Sequence, residues 1–160
     1  MYISGESDVI EVTVTNTHFK RGDWHDIEIA NYEIYSHPDR RYHYDTELRN
    51  LSANTYINNA KPLTGLFENI TFKKGTFFDC SLFKRVIFKD CTFEDIDIRW
   101  CRFEKCQFIN CKGTIKYARR TTWTKDCIFD NTDIQIKFVD EFIYINSRRH
   151  GSGYCNIELK

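Results

Sequence analysis

Between residues 63 and 145 the apolar positions fit neither an α-helix nor a flat strand. In "CTFEDIDIRWCRFEKCQFINC", residues 91 to 111, Cys or Ile, one intervening residue, then Phe or Ile returns at every fifth position. Cys91/Phe93, Ile96/Ile98, Cys101/Phe103 and Cys106/Phe108 are four consecutive cases. A helix repeats every 3.6 residues and a strand every 2, so a period of five asks for another geometry. Taking the second apolar residue as a centre, the series runs Phe67, Phe72, Phe77, Leu82, then after one extra residue Phe88, Phe93, Ile98, Phe103. It continues through Phe108, Gly113, Ala118 and Trp123, and after a second extra residue through Phe129, Ile134, Val139 and Tyr144. Grouped in fours, the first places are all phenylalanine: Phe67, Phe88, Phe108 and Phe129. Four five-residue sides make one square coil, and coils stack at the strand spacing of about 4.8 Å.

A similar period of five runs through "EVTVTNTHFKRGDWHDIEIANYEIY", where Val14, Phe19, Trp24, Ile29 and Ile34 are the centres. The expected organisation is therefore one domain over 1–160. It has N-terminal repeats at 10–35, a loop excursion at 36–62, central repeats at 63–145, and a loop and C-terminal tail at 146–160. The excursion contains both prolines of the chain, and long excursions tend to carry function. Cys155 and Ile157 in "CNIEL" read as one last unit. In the third and fourth coils "IKY" (115–117) and "IKF" (136–138) match each other, and a strict count would point Lys116 and Lys137 inward. Burying a charge is costly, so Ile115/Tyr117 and Ile136/Phe138 are expected to turn in, one residue early.

This pattern resembles the pentapeptide-repeat family, whose loose repeat is A(D/N)LXX. The resemblance implies an all-β, right-handed quadrilateral β-helix, with Cys, Ile or Val at 86, 91, 96, 101 and 106 in the small inward slot. Phe or Ile two residues later takes the central inward slot. Cys and Phe here largely replace the family's Ala and Leu.

Composition fits the reading. Two prolines and seven glycines stand against thirteen Phe, nine Tyr and three Trp, a strand-forming balance. It also fits an AT-rich gene, as many viral and mobile-element genes are, and so a phage or mobile-element accessory protein. Formal charge is zero, yet residues 1–60 carry −5 and residues 61–160 carry +5. No global field selects nucleic acid or membrane. Neither an apolar run long enough to span a bilayer nor a signal peptide is recognised, so a cytoplasmic protein is expected, in the host cytoplasm if viral. Seven cysteines without CxxC spacing read as reduced, buried fillers. Six of them fall into coil-neighbour pairs: Cys80/Cys101, Cys91/Cys111 and Cys106/Cys127.

No catalytic, phosphate-binding or zinc motif occurs, so no enzyme activity, metal or cofactor is expected. Function falls to outward positions. On this register Phe78, Phe83, Arg99 and Trp100 form an outward apolar and basic patch, joined by Arg40 and Arg41 from the excursion. Such a patch fits a protein partner, with no direct nucleic-acid or membrane binding, unless residues 36–62 fold back over it. The expected role is a rigid, non-catalytic scaffold that binds another protein. Two alternatives come from other classes. One is a duplex-DNA mimic acting on gyrase or another DNA enzyme, as some members of the resembled family do; the other is a structural component of a virus particle. Mimicry needs columns of acids, whereas Lys73/Glu94 and Lys74/Asp95 alternate in sign at equivalent places.

Overall fold

The period of five has a backbone origin. In the computed structural model Cys80, Arg85, Asp90, Asp95, Trp100, Lys105 and Asn110 all take left-handed φ values between 49° and 58°. Each lies two residues after a buried centre: Phe78, Phe83, Phe88, Phe93, Ile98, Phe103 and Phe108. A second buried residue sits two before each centre, from Thr76 and Ser81 through Val86, Cys91, Ile96, Cys101 and Cys106. One unit is thus in, out, in, out, corner. The ordinary strand alternation runs for four residues and a left-handed fifth turns the chain. Four such sides close one coil, and the chain is an all-β solenoid (a β-helix).

The structure describes residues 2–14, 17–28, 32–35, 44–53, 55–58 and 63–160. Among them the strands are β1 (Tyr2–Val14), β2 (Thr17–Glu28), β3 (Tyr32–Tyr35), β4 (Tyr44–Ala53) and β5 (Thr55–Asn58). The coils continue with β6 (Leu63–Phe72), β7 (Phe77–Asp79), β8 (Leu82–Lys89), β9 (Thr92–Arg99), β10 (Arg102–Glu104) and β11 (Gln107–Ile109). The last are β12 (Lys112–Trp123), β13 (Ile128–Asp130), β14 (Asp133–Ile145) and β15 (Arg148–Leu159). Among the described residues no helix is long and apolar enough to cross a membrane.

Parallel pairing sets four inward columns. Side one stacks Phe67, Phe88, Phe108 and Phe129, with ring centres 5.3, 4.7 and 5.1 Å apart. Side two carries Phe72 and Phe93, stacked at 5.1 Å, then Gly113 and Ile134. Side three carries Phe78, Ile98, Ala118 and Val139. Side four carries Phe83, Phe103 and Trp123, at 4.7 and 5.2 Å. Each fully buried ring contributes about 1.5–3 kcal/mol, and each offset stack adds about 0.5–1.5.

Side one follows the sequence register; part of the first full coil does not. Its extra residue lies in the turn Lys73–Thr76, where the Thr76 amide donates to the Lys73 carbonyl at 2.9 Å, not after Leu82. Phe78 and Phe83 therefore point inward, 1 % and 0 % exposed, while Phe77 and Leu82 face out. The second insertion, Thr124–Cys127, closes the same way at 3.0 Å. Fourth-place residues are accordingly Phe83, Phe103 and Trp123, with Ile145 in register above Trp123 instead of Tyr144. Ile115 and Ile136 do turn in and Lys116 and Lys137 point out. Tyr117 and Phe138 remain half-buried beside Ala118 and Val139, which take the central slot.

The ends depart from the repeat. β1 and β2 pair antiparallel (Val14 opposite Thr17), so residues 10–14 and 17–28 are not stacked parallel units. Residues 44–53 and 55–58, expected within a loop, instead form β4 and β5, which pair in parallel with β6 and β7. A hairpin satisfies the alternation of polar and apolar residues as well as a coil does, which is why pattern alone misplaced both. The tail is also a strand: β15 runs antiparallel to β14 and covers the last coil, burying Leu159.

The small inward slot does more than fill space. Cys91, Cys106, Cys111 and Cys127 each donate a thiol to a carbonyl of the coil below, at 3.3, 3.3, 3.2 and 3.2 Å. Thr132 does the same with its hydroxyl at 2.8 Å and Ser81 at 3.2 Å. Cys, Ser and Thr share a slot because each is a compact donor.

Candidate functional site

Side three and the corner after it carry the outward features that the solenoid itself does not need. Asp79, Arg99, Arg119 and Asp140 stand in one outward column by strand register. The Arg99 guanidinium lies 3.5 Å from Asp79 and 5.1 Å from the ring centre of Phe77. At the corner, Trp100 is 44 % exposed despite its size. Arg119 and Arg120 lie over its ring, at 5.9 and 4.5 Å from the centre. Arg120 also covers Phe142 at 5.6 Å, and Arg149 from β15 covers the same ring at 5.3 Å.

Carboxylates lock the guanidiniums in place. Arg119 reaches Glu141 at 3.0 Å and Asp140 at 3.7 Å, and Arg120 pairs with Glu141. Hydrogen bonds from Arg119 hold the Glu141 carboxyl below its usual range, and Arg120 adds to the effect. The Tyr117 hydroxyl donates to Asp140 at 2.5 Å, which raises the tyrosine pKa. Beside these, Tyr117 stacks on Phe138 at 5.9 Å, and Tyr154, 92 % exposed, meets Phe138 edge-on at 5.2 Å. The result is a set of aromatic faces interleaved with arginines whose orientations are fixed by acids. Such a surface presents large contact area with little side-chain freedom left to lose on binding.

Of the residues expected to form the patch, the structure brings only Arg99 and Trp100 to the surface. Phe78 and Phe83 are removed from it: they are core side chains in columns three and four, because the first insertion falls before them. Arg40 and Arg41 lie outside the described residues. Arg119, Arg120, Phe142, Arg149 and Tyr154 were missed. Arg120 was within reach of sequence reasoning, one coil of twenty residues beyond Trp100. Arg149 and Tyr154 were not, since an antiparallel hairpin places them.

The cysteine pairing is as expected for two of the three pairs. Cys91 with Cys111 and Cys106 with Cys127 occupy stacked slots, whereas Cys80 is an exposed corner and Ser81 takes the slot next to Cys101. Burial pushes the Cys101 thiol up to about 12, and raises Cys91 and Cys106 as well. The six described cysteines outside residue 155 are free thiols. Among the described residues no group of three or more His, Cys, Asp or Glu converges as a metal site would. No protein-family model matches the chain, and no curated protein matches it in sequence.

Proposed function

We propose that the chain is a non-catalytic scaffold of the pentapeptide-repeat type that binds another protein through the aromatic and arginine face of side three. The observation that carries this is Trp100, which is exposed at a left-handed corner and covered by two arginines. Trp and Arg are the residue types that most often dominate interface energetics, at about 2 kcal/mol or more for a true hot spot. The outward column Asp79, Arg99, Arg119, Asp140 mixes both signs, with two arginines at its centre, which favours a protein partner over mimicry of duplex DNA. Comparative capture from host lysate tests the reading. A species retained by the unaltered chain and by Lys137→Ala, but lost with Trp100→Ala at unchanged melting temperature, supports it. Equal retention by a folded Trp100→Ala protein removes this face from consideration.

A further inference from the structure

A second surface, separate from the aromatic face, lies on side four and the corner that follows it. Lys84 and Arg102 point outward from side four, and Arg85 and Lys105 occupy successive left-handed corners. Lys125 continues the strip in the turn at 124–127. Where the strip reaches the C-terminal hairpin, a cleft of about 690 Å³ opens, lined by Arg102, Thr122, Trp123, Lys125, Tyr144 and Ser147 together with Glu104 and Asp126. That volume suits a small ligand.

The hydrogen-bonding capacity of the cleft is one-sided. Its acids are already engaged: Glu104 accepts from Arg102 Nε at 2.6 Å, and Asp126 accepts from the Thr124 hydroxyl and from the Lys105 amide at 3.3 Å. The Thr124 hydrogen bond holds the Asp126 carboxyl below its usual range, so it stays an acceptor with its donors in place. Donors are what remain. The Lys125 ammonium, the terminal nitrogens of Arg102 and the hydroxyls of Thr122, Tyr144 and Ser147 have no hydrogen-bond partner among the described residues. Trp123 also lines the cleft, and its indole N–H is buried with no acceptor among the described residues, although an indole can only donate. Two cations and several unpaired donors around one small cavity match an oxyanion that accepts many hydrogen bonds at once.

We propose that this cleft binds a small phosphate-bearing molecule, with the phosphoryl oxygens held by Arg102 and Lys125 and by the hydroxyls of Thr122 and Ser147. Neither the aromatic face nor its partner is involved, so the two proposals stand or fall separately.

The test is a titration of the full chain followed by ¹H–¹⁵N correlation spectra. Glucose 6-phosphate is the probe, with inorganic phosphate, glucuronate and glucose as comparison arms at matched ionic strength. The expected result is saturable shifts of the Thr122, Thr124 and Lys125 amides and of the Trp123 indole with glucose 6-phosphate. Weaker shifts are expected with inorganic phosphate and none with glucose. Lys125→Ala and Arg102→Gln should each raise the apparent Kd about fivefold or more, while Lys137→Ala leaves it unchanged. The spectra report in the same experiment that each variant is folded. Absence of saturation by roughly 20 mM overturns the proposal, because affinity weaker than that is below any specific site. Equal response to glucuronate also overturns it, since the cleft would then read charge and not phosphate. Shifts indifferent to both cleft variants place the anion elsewhere and overturn it too.

Discussion

Replacing Phe88 with alanine removes the ring on which the inner stack is centred. Phe88 is fully buried and stacks on Phe67 at 5.3 Å below and Phe108 at 4.7 Å above. Phe72, Phe83, Phe93 and Phe103 surround it as tilted rings at 6.0–6.3 Å. The lost transfer free energy of the ring is about 2 kcal/mol. A void of roughly 100 Å³ at about 24 cal/mol per Å³ adds about 2.4 kcal/mol, because rings fixed to paired strands above and below cannot collapse into it. Phe88→Ala should therefore cost about 4–5 kcal/mol. Phe129 ends the same column and is only half-buried, so Phe129→Ala leaves a gap open to solvent and should cost about 1–2 kcal/mol. Phe108→Ala falls between them, at about 3–4 kcal/mol. Equilibrium urea unfolding followed by far-ultraviolet circular dichroism measures all three. A Phe88→Ala cost below about 2 kcal/mol, or one no larger than that of Phe129→Ala, would refute an internal column bounded by rigid strands.

Other outcomes follow from the same packing. Phe83→Ala should cost about 3–5 kcal/mol and Leu82→Ala under about 1.5, and the reverse order in unfolding experiments would restore the register read from sequence. Gly113→Ala should destabilise by at least about 3 kcal/mol: its φ is +129° and an added Cβ would meet the Phe93 carbonyl oxygen at 2.0 Å. A melting temperature unchanged by that substitution would contradict the close approach. Thiol titration in denaturant without reductant should find seven free thiols, and in the native protein Cys80 should react first; fewer than about five reactive thiols sinks the claim. The Cys101 thiol, pushed up to about 12 in the fold from an ordinary 9.0, ionises in the unfolded chain first. Its contribution is fully present below pH 9.0 and is lost as pH climbs towards 12, so stability should fall over that window and fall less in Cys101→Ala.

The sequence carried the coil because its centres are large and regular. Phe88, Phe93, Ile98, Phe103 and Phe108 fix side, column and spacing together, and no slip of one residue keeps them all buried. Legibility failed where two adjacent residues were both aromatic. In "GTFFDCSLFK" either Phe77 or Phe78 could be the centre, and either Leu82 or Phe83, so the pattern could not place the inserted residue. The turn Lys73–Thr76 decides it, through one backbone hydrogen bond that hydrophobicity does not encode. That single ambiguity also displaced the candidate site, moving two core phenylalanines, Phe78 and Phe83, onto the expected surface. The arginines from β12 and β15 were hidden for another reason: an outward residue is constrained by its neighbours on adjacent coils and not by any periodicity of its own.

The corners show where the solenoid tolerates strain. Between sides one and two the corner residues are Asn69, Asp90, Asn110 and Asn131, types that accept a left-handed backbone. Asn110 donates to Asp90 at 2.6 Å and Asn131 to Asn110 at 2.9 Å, so this corner is a structural ladder. The corners on either side of side four are different: Cys80, Trp100 and Arg120 on one, Arg85 and Lys105 on the other. Such side chains make the left-handed conformation unfavourable by about 1–2 kcal/mol each. Both proposed surfaces, the aromatic face and the basic strip, lie on these unfavourable corners, which is where strain retained for function would be found. The relation predicts a trade. Among the described residues Arg85 makes no ion pair or hydrogen bond, so Arg85→Asn should stabilise the chain by about 0.5–1 kcal/mol through backbone relief alone. Asp90→Arg at the ladder corner should destabilise by at least about 1 kcal/mol, from the lost hydrogen bond and the added strain together. Urea midpoints of the two variants, measured side by side, decide the matter. If Arg85→Asn lowers the midpoint while Asp90→Arg leaves it unmoved, the corners are not strained in the way their residue types imply, and the link between strain and the two surfaces fails.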